Sequence, residues 1–299
     1  MPPASEEGRT REKNVQLFIQ TLVNGLVLSS IYILVALGFA LIFSVMQVLN
    51  FSHGSIYMVG AYVTYFAGSI LGVPPWAAVA ASALVLALFG IFLERCGFRI
   101  LAKDFNRTLM FSLAIIVLLQ TAADVTVGGV LRHVPSILPG LTRVGSVTLS
   151  KERVIACVIA VCLLLAVNLL IRKTGLGREM RAVSLDRTAS ALQGINVHRV
   201  SAFAFAVSCA LASVAGGLMG SISRVDSYMG DAMLVKALAL VIIAGMGSIG
   251  GLFVSGLIVG FMDATLPIYF GAAGGEVAAT AFAILILVIR PQGLFGQEV

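Results

Sequence analysis

Few residues in this chain could do chemistry, and they are thinly spread. His53 stands in the segment Asn50-Phe51-Ser52-His53-Gly54, between two apolar runs. An imidazole can titrate near neutral pH, but a general base or a metal site needs partners. No Asp, Glu, Lys or Arg occurs from residue 15 to residue 93. A lone His in such surroundings also fits a hydrogen-bonded structural residue. The four cysteines, Cys96, Cys157, Cys162 and Cys209, form no CxxC pair, and three lie inside apolar runs. They read as small buried hydrophobes rather than thiolate ligands. The sequence contains neither a phosphate-cradling GxxxxGK[ST] loop nor an HExxH zinc motif. Catalysis inside a bilayer would need paired Asp, Ser/Lys or His/Glu groups within the apolar runs, and none is convincing. The chain therefore reads as no enzyme, with no cofactor and no metal of its own.

The elements that carry these residues are membrane spans. Of 299 residues, 59% are hydrophobic and only 11% are charged, less than half the roughly 25% of an ordinary soluble domain. A soluble fold cannot hide so much apolar surface. A secreted disulfide scaffold and a disordered chain are excluded on the same composition. The expected fold is all-α, a polytopic bundle of transmembrane helices. A polar tail occupies residues 1–14 and one transmembrane domain occupies residues 15–299. No cleavable signal peptide is visible.

At about 20 residues per span, the uncharged run 15–93 holds three or four spans. Further apolar runs cover 108–123, 154–171, 200–221, 237–262 and 277–289, with 222–236 and 263–276 read as linkers. Hydropathy alone gives about eight spans, and about ten if the two glycine-broken runs contain paired short helices. Arg172, Lys173, Arg178, Arg181, Arg187 and Arg199 place the loop 172–199 in the cytoplasm by the positive-inside rule. The intervening spans then put 94–107 inside and 124–153 outside. Arg9, Arg11 and Lys13 favour an inside N-terminus, which requires four crossings before Glu94. The net charge of +6 suits anionic lipid head groups rather than nucleic acid.

Two segments look like interrupted helices. One is 48–62, with Asn50, Ser52, His53 and Gly54. The other is 244–260, with Gly245, Gly247 and Ser248. Polar or glycine-rich breaks in corresponding halves point to a translocation path, and irregular backbone at membrane depth persists only where protein or a water-filled cavity covers it. A simple interfacial turn at 50–54 is the alternative. Small-xxx-small pairs recur at Gly216/Gly220, Gly247/Gly251 and Gly256/Gly260; these permit close helix approach. No clear span holds a central carboxylate, since Asp124, Asp263 and Glu276 fall at ends. That argues against an ion-driven transporter working alone.

The basic loop carries the remaining signal. Residues 184–193 predict a short helix with Ser184 as N-cap and Gly194 at C′. Leu185, Ala189 and Leu192 share one face at helical spacing. Such a helix can dock in a partner's groove or lie on the membrane surface, and composition does not choose.

These residues together resemble a known family. The run NGLVLSSIYILVALGFALIFSVMQVLNFSHGSIYMVGAY (24–62) is similar to the opening of the permease subunit of branched-chain amino-acid ABC importers. REMRAVSLDRTASALQGINVHRV (178–200) resembles its cytoplasmic loop. AGGLMG (215–220), GMGSIGG (245–251), RPQGLFG (290–296) and the pair Glu94-Arg95 also match, in order, over nearly the whole chain. Departures are Ser29 for a usual Gly, Ser52 for Ala, Leu185 for a polar residue and Ser190 for Ala.

The resemblance implies a permease of the bacterial inner membrane for branched-chain or related amino acids. It implies a second, homologous permease, two cytoplasmic ATP-binding subunits that bind the ATP and Mg, and an extracytoplasmic substrate-binding protein. Residues 184–193 would be the coupling helix. Arg181, Asp186, Arg187, Gly194, Ile195 and Asn196 would serve the ATPase contact. Asn50, Ser52, His53, Gly54, Gly245, Gly247 and Ser248 would line or gate the pathway. Related permeases for urea, amides or aromatic acids, and a stand-alone facilitator for a small polar solute, are the competing readings. The weakly polar path suits a zwitterion or a neutral solute.

Overall fold

In a computed structural model the chain is described over residues 4–102, 104–144, 147–245, 248–289 and 293–294. Helix α1 (Ala4–Met46) is followed by α2 (His53–Tyr65), whose end relaxes into a π-turn at Phe66–Ile70. Then come α3 (Pro75–Leu93), a second π-turn at Glu94–Phe98, the short α4 (Arg99–Leu101) and α5 (Phe105–Val127). A hairpin of β1 (Leu141–Val144) and β2 (Val147–Ser150), antiparallel with Leu141 opposite Ser150, precedes α6 (Lys151–Lys173). Two short helices, α7 (Gly175–Leu185) and α8 (Arg187–Leu192), lead to α9 (Val197–Ile222), α10 (Met229–Ala244) and α11 (Ile249–Ile289).

The fold is the expected helical bundle. Among the described residues six helices are long and apolar enough to cross a membrane: Gln16–Met46, Pro75–Leu101, Phe105–Val127, Lys151–Lys173, Val197–Ile222 and Gly250–Gly271. The shorter apolar α2, α10 and distal part of α11 add to these. Helices α1 and α9 form the centre, with Ile31, Leu34, Val35 and Ala36 packed with Phe205, Ala212 and Ala215, all fully buried. Helices α3, α5 and α6 turn Leu88, Phe92, Val117, Leu118, Leu165 and Leu169 outward, as a lipid-facing layer requires. Cys162 lies on that outer face and Cys96 is also exposed, so of the four cysteines only Cys209 is fully buried.

Glycines set the helix separations. A Cβ on Gly216 would overlap the Tyr57 carbonyl, and one on Gly260 would overlap Ser29. One glycine of each of these two pairs thus meets a neighbouring backbone, while Gly220 and Gly256 meet side chains, and Gly247 of the third pair lies outside the described residues. Ser29, where the family usually has Gly, folds its hydroxyl back to the Gly25 carbonyl at 2.6 Å.

Three expectations need correction. The run 15–93 holds three helices, within the three or four expected but short of the four crossings that an inside N-terminus requires, because α1 continues unbroken to Met46 and the chain first turns at Gln47 (φ 54). Arg187 meets the Met46 end of α1, whereas Arg153 at the start of α6 meets Asn24. The N-terminal half of α1 therefore lies at the end opposite to Glu94 and the basic loop. The predicted linker 263–276 narrows to a break at Gly271 (φ 72, ψ 170), where two helices of α11 meet; the residues before it, with Asp263 and Pro267, are helical. The predicted linker 222–236 shrinks to residues 223–228, since α10 begins at Met229.

Candidate translocation and coupling site

Both segments contain a break: 47–52 is a turn that joins α1 to α2, and the second break separates α10 from α11. At the first, Asn50 accepts from the Ser52 backbone N–H (3.1 Å) and hydroxyl (2.6 Å), fixing the turn that starts α2. The His53 Nε2 lies 3.0 Å from the Val35 carbonyl of α1, and the ring stands edge-on to Phe39. Asn50, Ser52 and His53 are buried, and among the described residues the Asn50 amide nitrogen and His53 Nδ1 have no partner. Unpaired buried donors and acceptors are uncommon in native proteins. Gly54 sits against Gly230 of α10, where either Cβ would overlap the other backbone. The structure therefore gathers this set inside a crossing of α1, α2 and α10.

At the second interruption Gly245 (φ 84) ends α10, and Ser248 opens α11 by accepting from the Gly251 N–H at 3.0 Å. Gly247 lies outside the described residues. Gly293 packs onto the Gly245 backbone, and the Leu294 N–H donates to Ile243 at 2.6 Å. Part of the RPQGLFG motif thus closes over this break. Gly245 and Ser248 line a cavity of about 280 Å3 together with Arg181, Ser184 and Leu185. One pathway candidate set and the basic loop meet here, and the Arg181 guanidinium also donates to the Ile171 carbonyl.

The coupling element is shorter than the sequence suggests. Ser184 is not a cap but lies inside α7, donating to the Arg181 carbonyl at 2.8 Å. Asp186, extended at φ −154 and ψ 112, breaks the helix and caps α8, accepting from Thr188 (2.8 Å) and Ala189 (2.9 Å). A carboxylate satisfying two orphan N–H groups at a positive helix end outcompetes a serine two residues earlier. Gly194 (φ 85) ends α8 as predicted: its N–H reaches the Ala191 carbonyl, and that of Ile195 reaches Ser190. This is a Schellman close. Asn196 caps α9 through Arg199 N–H, and Ile195 is half-buried against the core. The Arg187 guanidinium donates to Met46, 3.2 Å away.

Most of the proposed contact residues thus hold the loop's own shape. The large apolar side chains it turns outward are Leu185 and Leu192, 88% and 85% exposed. The expectation that Leu185, Ala189 and Leu192 share one helix face fails, because Asp186 leaves Leu185 in α7 and Leu192 in α8.

Two ion pairs escaped sequence reasoning. Buried Glu94 pairs with Arg99 at 2.7 Å, and Arg99 also reaches the His198 carbonyl. Arg95, its neighbour in the Glu94-Arg95 pair, is exposed. Within the helices, Lys236 of α10 pairs with Asp263 of α11 at 2.6 Å, and Tyr32 of α1 donates to the same carboxylate oxygen at 2.7 Å. The expectation that Asp263 sits at a span end fails, because the helix continues through it. The argument against ion coupling loses that support.

A family model described as the permease component of branched-chain amino acid transport systems matches residues 21–290. The high-affinity branched-chain amino acid transport system permease protein BraD of Pseudomonas aeruginosa is 31% identical over 94% of this chain and 96% of its own length. The corresponding LivH of Escherichia coli K12 is 31% identical with the same coverage. The solved structure of PsaBC from Streptococcus pneumoniae in complex with Fab shares the fold, with a TM-score of 0.51 at 15% identity, over 92% of this chain and 94% of that one.

Proposed function

The chain belongs to the permease family of branched-chain amino-acid transport systems, and from that premise we propose its substrate, its partners and its site. It is a multi-pass membrane protein and the permease component of an importer of this type. Its substrates are branched-chain or closely related amino acids. It sits in the bacterial inner membrane beside a second, homologous permease. Two cytoplasmic ATP-binding subunits hold the ATP and Mg, and an extracytoplasmic binding protein delivers the solute. The basic end, with Arg178, Arg181 and Arg187, faces the cytoplasm.

The observation that carries the mechanism is the link from the adjoining helices α7 and α8 to the two interruptions, α8 to the first and α7 to the second. Leu185 and Leu192 are exposed for an ATPase groove. Arg187 ties α8 to the last carbonyl of α1, immediately before the Asn50–His53 turn. Arg181 and Ser184 share a cavity with Gly245 and Ser248. Displacement of α7 and α8 together by ATP-driven closure is thereby delivered to both breaks as a rigid-body shift.

The test is uptake into proteoliposomes holding the assembled importer and its binding protein. ATP-dependent accumulation of leucine, isoleucine or valine is the expected result. ATP-dependent accumulation of urea, amides or aromatic acids instead would reassign the substrate. Equal flux without ATP would replace the importer by a facilitator.

A further inference from the structure

The end of the bundle opposite the basic loop contains a cavity of about 280 Å3 between α1, α6, α9 and α11. Its size falls just below the roughly 300 Å3 lower limit of drug-sized pockets, so a smaller solute suits it. Two opposite charges line it without pairing with each other. The Asp263 side chain is 7% exposed and engages Lys236 and Tyr32 through Oδ2; its Oδ1 is buried and has no partner among the described residues. Arg153, in the first turn of α6, is held by a hydrogen bond to Asn24 Oδ1. A guanidinium has five N–H donors, so one such bond leaves capacity for a carboxylate. Met219, Ile222 and Pro267 complete the wall with apolar surface.

We propose that this cavity is a binding site for a zwitterionic α-amino acid, its ammonium on Asp263 Oδ1 and its carboxylate on Arg153. A buried oxygen with no donor among the described residues leaves an acceptor that a ligand's N–H can fill. An anion would leave Oδ1 unpaired, and a simple amine would bring a second cation beside the guanidinium. A zwitterion supplies both complements in one molecule. Lys236 and Tyr32 act as positioning residues that orient the carboxylate, and Met219 and Ile222 receive a branched side chain. The site rests on the amino-acid importer reading and adds a place for the solute at the mouth remote from the ATPases.

The test uses the assembled importer in phosphatidylcholine nanodiscs, without binding protein, and photoleucine, the diazirine analogue of leucine. Peptide mass spectrometry locates the label. It is expected on Met219, Ile222, Ala264 or Pro267, and excess leucine suppresses it, whereas 4-methylpentanoate, 3-methylbutylamine and urea do not. Loss of one charge-assisted hydrogen bond lowers labelling about tenfold in Asp263→Asn and in Arg153→Gln. Arg153→Gln keeps the test decisive if Asp263→Asn fails to assemble, because Arg153 is only partly buried. Label elsewhere, label unchanged in Arg153→Gln, or equal suppression by the one-ended analogues or urea overturns the proposal. Suppression by added phosphatidylethanolamine assigns the same chemistry to a lipid head group and also overturns it. Importer that takes up leucine but is unlabelled here loses this site alone. Importer labelled here that accumulates no amino acid loses the transport reading and keeps the site.

Discussion

The Arg187 side chain reaches from the short basic-loop helix α8 to the carbonyl of Met46, 3.2 Å away, at the C-terminal end of the central helix α1. A cation there meets the negative end of the helix and carbonyls with no intrahelical donor. One residue further on the chain turns at Gln47, and Asn50, Ser52 and His53 follow. The contact therefore joins the exposed loop to the most buried polar turn of the bundle.

Replacing Arg187 by Glu puts a carboxylate against that carbonyl. Reversal of a helix-end charge removes one favourable term of about 0.3–1 kcal/mol and adds an unfavourable one of similar size, about 0.6–2 kcal/mol in all, too little to unfold the bundle. Uptake per ATP hydrolysed is expected to fall about tenfold, corresponding to the loss of roughly 1.4 kcal/mol of coupling. Parallel assays of uptake and hydrolysis measure it, and wild-type values for both would remove Arg187 from the coupling path.

Leu185 and Leu192 need no contact within the chain, being 88% and 85% exposed. Leu185→Asp and Leu192→Asp should leave the thermal midpoint of the isolated permease within the roughly 0.5 kcal/mol scatter of surface changes. Both should strip ATP-binding subunits from the complex during mild-detergent purification. Retained subunits in both variants would place the docking surface elsewhere.

Gly54 and Gly230 touch through their backbones. Gly54→Ala forces α2 and α10 apart, and overpacking of this kind costs about 1–3 kcal/mol. The expected result is a lower thermal midpoint and reduced uptake, read by scanning fluorimetry and transport.

The Lys236–Asp263 pair is held by one carboxylate oxygen between two helices. Lys236→Met leaves the buried carboxylate without its cation, and breaking such a pair costs about 3–5 kcal/mol. Lys236→Met combined with Asp263→Leu should recover much of that stability, because no isolated charge remains. A double-mutant cycle by thermal unfolding checks the sign, and additive losses would contradict a direct coupling.

Much of this arrangement was legible in the residues. The long apolar runs, the turn at 50–54, the break at Gly245 and the αL position of Gly194 follow from hydropathy, polar punctuation and glycine chemistry. Less legible were the features decided by tertiary contact. Asp263 and Lys236 looked like linker residues because each is costly alone in an apolar helix; only their mutual pairing permits α10 and α11 to run through them. Ser184 and Asp186 compete for one helix start, and the winner depends on where the backbone breaks. Polarity marked Asn50, Ser52 and His53 as pathway candidates, yet polarity does not distinguish a cavity wall from a buried turn.

The most direct measurement is mild-detergent purification of this chain from its native membrane, with mass spectrometry of what accompanies it. Two ATP-binding subunits and a second permease are the predicted companions. A chain that purifies alone, while other ABC complexes in the same extract remain whole, would contradict the account.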